Sequence, residues 1–234
     1  MKKLFSILIV LCIAATVFAV GSVKVGGAFG FSAGKTAVVY VSEDPAHYEL
    51  DYKYKTSGFG FDVAGSYDLS NSLAVWADFN MLFNSDFKYQ PNGVESYNSI
   101  KEMYDDHYKD KEGGYIVKNS ISGAAGVAYK LALNAPVDVK VGGGLFVERI
   151  RAEYGDAKST FLYKVINLGL ALYADAQYKV ADNIGVGLTV MPRLGIYNFM
   201  ETKMVFPGWD DDDKGKSFRI GFSMPVVVGV SYSF

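Results

Sequence analysis

The chain has 234 residues, half of them hydrophobic, with 25 glycines, 17 tyrosines and only six prolines. Its 23 basic and 25 acidic side chains give a formal net charge of −2, so no excess of positive charge suggests a nucleic-acid partner. The only cysteine is Cys12, which excludes a framework of intramolecular disulfides and a zinc site built from thiolates.

The N-terminal residues have the pattern of a secretory signal peptide. Lys2 and Lys3 are followed by an apolar stretch over 4–17 and by the small-residue sequence Val17–Ala19. The stretch is shorter than the ~20 residues that a membrane-spanning helix needs. We therefore predict cleavage after Ala19, with residues 1–19 as a signal peptide and 20–234 as one domain without cysteine.

Alternation of apolar with small or polar residues recurs along the predicted mature chain. A period of two indicates β-strands with two unlike faces. The pattern predicts eight strands, at about 23–31, 58–68, 72–85, 117–131, 136–151, 161–179, 183–199 and 217–234. No long apolar run follows the predicted signal peptide, so the fold class is all-β.

The predicted connections alternate between short and long. Three tight turns share a pattern of a tyrosine followed by Asn, Asp or Ser, in the sequences YDLSN, YKLALN and YKVADN. The other connections, near 33–57, 86–116, 152–160 and 200–217, are mostly longer and more polar. An even number of strands, with short turns at one end and long loops at the other, is typical of a transmembrane β-barrel. We predict an eight-stranded antiparallel up-and-down barrel with its apolar face toward lipid.

The last predicted strand carries its apolar face to the terminal aromatic, through Val228, Val230, Tyr232 and Phe234. In this respect the chain resembles the small bacterial outer-membrane barrels of the outer membrane protein A, X and W families. The resemblance implies a bacterial outer-membrane location and contact with outer-membrane lipid. It also implies that the barrel-assembly machinery recognises this terminal strand.

By strand parity, several charged and aromatic side chains point into the predicted lumen. They include Asp62, Trp76, Asp78, Lys140, Asp175 and Arg193. A tight turn that places Asp68 opposite Ser72 would put Asp62 directly across from Asp78, an arrangement that destabilises a sheet unless a cation or a proton intervenes. The set is either an internal ion-pair network that closes the lumen or an ion-selective constriction.

Two prolines fall inside predicted neighbouring strands. Pro192 and Pro225 each remove a donor from the hydrogen-bond ladder at comparable depth. They indicate either local bulges or a weakened seam between the last two strands. The resemblance to outer membrane protein W implies that a small apolar ligand leaves sideways into lipid through such a seam.

The predicted loops offer little catalytic chemistry. The two histidines, His47 and His107, both fall in long loops, and His107 next to Asp105 and Asp106 is the one candidate base. The sequence WDDDDKGK at 209–216 lacks the spaced ligands of a known calcium motif, so a solvated acidic loop is the simpler interpretation. The alternation changes parity near Ser57–Gly58, which predicts a β-bulge and a protruding first hairpin.

These patterns predict a non-enzymatic outer-membrane protein that needs no cofactor or metal. Its lumen is narrow or plugged, and its loops 33–57 and 86–116 meet surface partners. The alternative is a narrow channel or a lateral-release transporter for small hydrophobic or ionic solutes.

Overall fold

The computed structural model describes residues 21–40, 48–91, 95–96, 98–133 and 136–234. The predicted signal peptide and His47 lie outside these residues. Among the residues described, no helix is long and apolar enough to cross a membrane.

The described residues form eleven β-strands and one α-helix. The strands are β1 (Ser22–Tyr40), β2 (Tyr48–Asp68), β3 (Leu73–Pro91), β4 (Asn98–Ser99), β5 (Tyr115–Leu131), β6 (Val137–Gly155), β7 (Thr160–Ala181), β8 (Ile184–Val190), β9 (Arg193–Phe206), β10 (Trp209–Ser217) and β11 (Gly221–Ser233). The helix α1 spans Ile100–His107. Segments β8 and β9 form the seventh strand of a barrel, and β10 and β11 form the eighth.

The sheet closes on itself. Each barrel strand pairs antiparallel with the next along the chain, and β1 completes the ring by pairing with β11 from Ser22↔Ser233 to Gly34↔Gly221. Short turns at 69–72 and 182–183 lie at the end where the described chain begins, which we call the inner end. The predicted eight-stranded antiparallel up-and-down barrel is confirmed.

The predicted long loops contain more paired strand than the alternation suggested. The connection at 33–57 is mostly a hairpin, because β1 and β2 stay in register as far as Tyr40↔Tyr48. The connection at 200–217 is likewise a hairpin of β9 and β10. These extensions carry the barrel well beyond the apolar part of its outer surface.

Near the inner end, the barrel is apolar outside and polar inside. Its outward side chains include Val25, Phe59, Val75, Val127, Leu145, Leu172, Val186 and Val228, each more than a third exposed. Its buried, inward side chains include Lys24, Asp62, Asp78, Asn80, Lys140, Asp175 and Arg193. A soluble barrel has the opposite arrangement, so this surface is suited to lipid.

The polarity then inverts part of the way up the barrel. On β6 the outward residues change from Leu145 and Val147 to Arg149 and Arg151, while the inward residues change from Glu148 to Ile150. On β2, outward Phe59 gives way to Lys55 and Lys53, and inward Asp62 gives way to Tyr54 and Tyr52.

The inversion falls at matching register positions in two groups of neighbouring strands, β1 to β3 and β5, β6, β7 and β9. Register partners at this level are Phe31↔Ser57, Ser57↔Asp86, Ile121↔Arg149, Arg149↔Ile166 and Ile166↔Phe199. We call this level the inversion boundary, the barrel between it and the inner end the membrane half, and the part beyond it the outer half. An apolar exterior suits lipid, whereas a polar exterior around an apolar interior suits water, so the boundary is the level at which the exterior changes from one suited to lipid to one suited to water.

The predicted bulge near Ser57–Gly58 is real, but it lies in the partner strand. The register between β2 and β3 shifts there, because Ser57 pairs with Asp86 whereas Gly58 pairs with Asn84, leaving Ser85 as the extra residue. From Tyr52 to Ser66, strand β2 keeps its even-numbered residues inside. The change of pattern along β2 therefore reflects a reversal of polarity. The apolar side chains face outward at Phe59 and inward at Tyr54.

Candidate functional site: the barrel lumen

The inner mouth of the lumen holds a polar cavity of about 370 Å³. Lys140 donates to Ser66 Oγ at 2.6 Å and lies 3.7 Å from Asp68 Oδ1, while Lys130 also pairs with Asp68. Lys140 is the register partner of Asp175, but the two side chains have different partners.

Above this mouth, Lys24 crosses the lumen to Asp175. The two form an ion pair at 2.6 Å, and Thr189 donates to the same carboxylate oxygen at 2.6 Å. Trp76 stacks on Tyr173 nearby, with ring centroids 4.4 Å apart and planes inclined by 10°. A buried ion pair with further hydrogen bonds and a stacked aromatic pair together fill this level.

Asp78, Asp62 and Arg193 occupy the middle of the membrane half. Arg193 pairs with Asp78 at 3.1 Å and donates to Ser122 Oγ at 2.6 Å, and all of these side chains are buried. Asp62 is fully buried, yet among the described residues neither of its carboxylate oxygens has a hydrogen-bond partner, and Asp78 Oδ2 has none either. Within the same part of the chain, no group of three or more His, Cys, Asp or Glu side chains is placed to hold a metal ion.

The register around these aspartates differs from the predicted one. Asp62 pairs with Asn80, and Asp78 pairs with Ala64, so the two aspartates are diagonal neighbours rather than directly opposed. The turn is longer than expected, because Asp68 pairs with Ala74 instead of Ser72. Ser70 Oγ accepts from the backbone N–H groups of Ser72 and Leu73 at 3.3 and 3.1 Å, which draws both residues into the turn.

A second polar layer lies just below the inversion boundary, around Glu148. Ser32 donates to Glu148 Oε1 at 2.7 Å, and Asn167 Nδ2 donates to Glu148 Oε2 at 3.1 Å. Tyr54 donates to Asn167 Oδ1 at 3.0 Å from above. Both carboxylate oxygens of this buried glutamate are therefore satisfied, unlike those of Asp62.

The interior of the outer half is an aromatic cluster, which we call the aromatic plug. Its buried members are Tyr52, Tyr54, Phe87, Tyr89, Ile100, Tyr108, Ile150, Ala152, Tyr154, Tyr163, Val165 and Met200. Tyr163 donates to the Tyr89 hydroxyl at 3.0 Å, and their rings stack with centroids 4.5 Å apart. Burial raises the pKa of Tyr154 and of Tyr163 well above the usual tyrosine range, so both remain neutral phenols.

Helix α1 covers the plug from the outside. Ser99 is its N-cap, accepting from the Glu102 N–H at 3.3 Å and donating to the Asp86 carboxylate, which also accepts from the Lys101 N–H at 3.1 Å. Ile100 at its first position is buried in the plug. His107 at the other end is exposed, and its Nδ1 contacts the Met103 carbonyl at 3.0 Å. That contact belongs to the helix itself and provides no orienting acid for a catalytic base.

The two prolines meet across the seam between the seventh and eighth barrel strands. The register is the same above them, at Arg193↔Ser223, as below them, at Val190↔Val226, so Pro225 faces Met191 without a bulge. The Met191 N–H donates to the Pro225 carbonyl at 3.1 Å, and proline returns no bond because it has no N–H.

Pro192 has the same effect on its other neighbour. The Leu172 N–H donates to the Pro192 carbonyl at 2.8 Å, and no bond returns. Two ladder hydrogen bonds are thus missing at one level of the membrane half.

All six lumen residues named from parity are buried inside the barrel, but they form no single site. Arg193 contacts Asp78, whereas Lys140 and Asp175 belong to separate pairs. Sequence reasoning missed the aromatic plug. The signal was present in β2, where Tyr52 and Tyr54 continue the inward parity of Asp62.

The four acidic residues after Trp209 fall in β10, and the side chains of 211–213 lie outside the described part of the chain.

No protein-family model matches the chain, and no curated protein matches it. Solved structures do match. A major outer membrane protein from Thermus thermophilus is 15% identical, with a TM-score of 0.56 over 89% of this chain and 99% of that one. The outer membrane protein OprG of Pseudomonas aeruginosa is 12% identical, with a TM-score of 0.51 over 92% of this chain and 97% of that one.

The outer membrane protease OmpT of Escherichia coli is 9% identical with a TM-score of 0.46, covering 92% of this chain and 96% of that one. Likeness this distant concerns the fold and not the activity. The first two matches show that the chain has the fold of small bacterial outer-membrane β-barrel proteins.

Proposed function

We propose that the protein is a non-enzymatic barrel of the bacterial outer membrane, with a closed lumen and a surface-interaction role for its outer half. One observation carries this proposal: the polarity inversion, which makes the outer half a folded body with its own aromatic core rather than a set of loose loops. In this proposal residues 1–19 are the signal peptide, cleaved after Ala19, and residues 20–234 form the mature barrel. The barrel-assembly machinery reads the terminal strand that ends in Tyr232 and Phe234.

The filling of the lumen supports a closed barrel. From the inner mouth outward, the path passes the Lys24–Asp175 pair, Arg193 and Asp78, the Glu148 layer and the plug, where the central side chains are buried. An eight-stranded barrel has room for little besides its own side chains. The exposed surface available to a partner is then the outer half, including α1 and the charged residues that follow it.

Cysteine labelling on intact cells tests this placement, because the predicted mature chain has no cysteine. Asp110, after α1, and Ala132, at an inner turn, are both exposed. A membrane-impermeant maleimide is expected to label the variant Asp110→Cys on intact cells, and Ala132→Cys only after the outer membrane is permeabilised. The reverse pattern, or equal labelling of both variants, would contradict the proposed orientation.

Photo-crosslinking tests the surface role itself. A photoreactive residue at Lys109, next to α1, is expected to give a defined adduct on cells, which a matched replacement at Lys130 near the inner turn does not give. Only lipid adducts at both positions would contradict a surface-interaction role. Deletion of residues 98–112 is expected to remove the adduct formed by a second probe at exposed Lys158 if the helix is part of the contact surface.

The missing ladder bonds favour a second candidate, lateral release of a small apolar solute. Pro225 removes a ladder bond from this seam, and Pro192 removes one at the same level on the other side of the seventh barrel strand, inside the membrane half, where a lipid-facing opening would lie. Vesicles containing the barrel would then take up a fluorescent apolar dye faster than empty vesicles, and the double variant Pro192→Ala, Pro225→Ala would return uptake to the empty-vesicle rate. Equal uptake by vesicles with wild type, vesicles with the variant and empty vesicles would contradict lateral release and favour the closed barrel.

A further inference from the structure

We propose that Arg149 is the centre of a binding site for the phosphate group of a lipid head group in the outer leaflet. Arg149 is the first outward residue of β6 beyond the apolar Leu145 and Val147, at the inversion boundary. Phosphates of membrane lipids lie at this depth, directly above the hydrocarbon.

Arg149 is held between apolar neighbours and has no acidic partner among the described residues. Its register partners are Ile121 on β5 and Ile166 on β7, so its aliphatic stem lies in an apolar groove on the barrel surface. Its Nε is buried, and no described residue offers that atom a hydrogen bond. The Nε of Arg149 is therefore a donor that water reaches poorly, and a planar pair of phosphate oxygens can accept from it together with a terminal amino group of the same guanidinium.

The other cations around Arg149 are already neutralised. Arg151 pairs with Glu153, and Lys164, the register partner of Arg151, pairs with Glu201. Of Arg149, Arg151 and Lys164, Arg149 is therefore the one without an acidic partner among the described residues. Asn119, across from Arg151, has a buried Oδ1 without a described hydrogen-bond partner, which suits a hydroxyl or amide donor of the same head group.

The test uses the refolded barrel in uncharged detergent and a phosphorylated lipid. Native mass spectrometry would count the bound molecules of diphosphorylated lipid A, with its dephosphorylated form as the matched lipid. We expect wild type to retain one phosphorylated molecule. Arg149→Gln should bind it at least about tenfold more weakly, because the variant loses a charge-assisted pair of hydrogen bonds. The affinity of Arg149→Lys should lie between those of wild type and Arg149→Gln, because lysine keeps the charge but cannot bind a phosphate in a bidentate manner.

Lys53→Gln is the matched control. Lys53 is also an exposed outward cation above the inversion boundary, but it lies three barrel strands away on β2. It should leave lipid binding unchanged. Equal weakening by both glutamine variants would mean diffuse attraction and would overturn the site.

Two further outcomes bear on the source of the phosphate. Equal binding of phosphorylated and dephosphorylated lipid by wild type would overturn the proposal without any variant. Displacement of the bound lipid by millimolar inorganic phosphate would show a free-anion site instead of a lipid site. Retention of the lipid under those conditions would support the head-group assignment.

Discussion

At the scale of single residues, the interior of the membrane half contains more buried carboxyl groups than cations in the layers formed by Lys24, Asp62, Asp78, Asp175 and Arg193. Lys24 and Arg193 face Asp62, Asp78 and Asp175, so two cations serve three buried carboxyl groups. Asp62 is the group left over, because the other two carboxyls have their ion pairs. This imbalance distinguishes the two aspartates that the sequence alone treats as equivalent.

Replacement of Arg193 should therefore be costly, whereas replacement of Asp62 should not. Arg193→Met leaves Asp78 buried without its ion-pair partner, and we expect a loss of about 3–5 kcal/mol in the free energy of unfolding. Asp62→Asn keeps the shape and removes the unpaired carboxyl, so its effect should lie within about 1 kcal/mol of wild type or be stabilising. Urea unfolding of the barrel in lipid vesicles measures both, and a larger loss for Asp62→Asn would contradict this assignment.

Parity predicted which side chains enter the lumen, but not which of them meet. Alternation is fixed by strand geometry, so Trp76, Asp78 and Arg193 could be assigned to the interior from sequence. Contacts across the lumen depend on the register, and the register depends on one turn. There, Ser70 lengthened the connection and moved Asp78 two residues away from its predicted partner.

At the scale of elements, the seam should be stabilised by restoring one ladder donor. In the variant Pro225→Ala, the new N–H faces the Met191 carbonyl, a bond that contributes about 0.5–1.5 kcal/mol. We expect the Met191 amide to exchange with solvent deuterium up to about tenfold more slowly than in wild type. Unchanged or faster exchange would show that the seam is already closed by other contacts.

Helix α1 should depend on its N-cap. Ser99→Ala removes both the cap and a hydrogen bond to Asp86, and we expect a loss of about 1 kcal/mol, seen as roughly fivefold faster amide exchange over 100–107. Lys101→Ala is the control, because its pair with Asp105 lies on the exposed face of the helix and is screened by solvent, so its loss should change the exchange little. Similar exchange rates for the two variants would mean that the cap does not hold the helix over the plug.

Because of the aromatic plug, the stability of the outer half should decrease at alkaline pH. Burial raises the pKa of Tyr154 and of Tyr163 in the folded state, whereas an unfolded tyrosine ionises near pH 10. Their contribution to stability is therefore complete below about pH 10 and is lost as the pH rises above it. Each such phenol adds a slope of about 1.4 kcal/mol per pH unit.

Tyr163→Phe should remove one of these slopes. Above pH 10 the variant is expected to lose about 1.4 kcal/mol less stability per pH unit than wild type, measured by urea unfolding at pH 9 to 12. The same slope in both proteins would place the Tyr163 hydroxyl in contact with water.

At the scale of the whole molecule, alternation predicted the barrel but did not show where the polarity of its two faces reverses. Eight alternating segments and three tight turns were sufficient for an antiparallel barrel, because lipid demands a closed sheet. The same alternation with the opposite polarity continues through Tyr52 and Tyr54, inside the connection predicted at 33–57. Only the packing of distant strands shows that these rings meet Phe87 and Tyr163 inside.

The central claim is that side chains close the lumen from the inner mouth to α1. Single-channel recording of the refolded barrel in planar bilayers tests it most directly, with heat-modifiable gel mobility as proof of folding. We predict no discrete conductance steps from wild type between pH 5 and 9. Reproducible steps from the folded protein, altered by Asp78→Asn, would contradict a closed barrel and show an ion path through the aspartates.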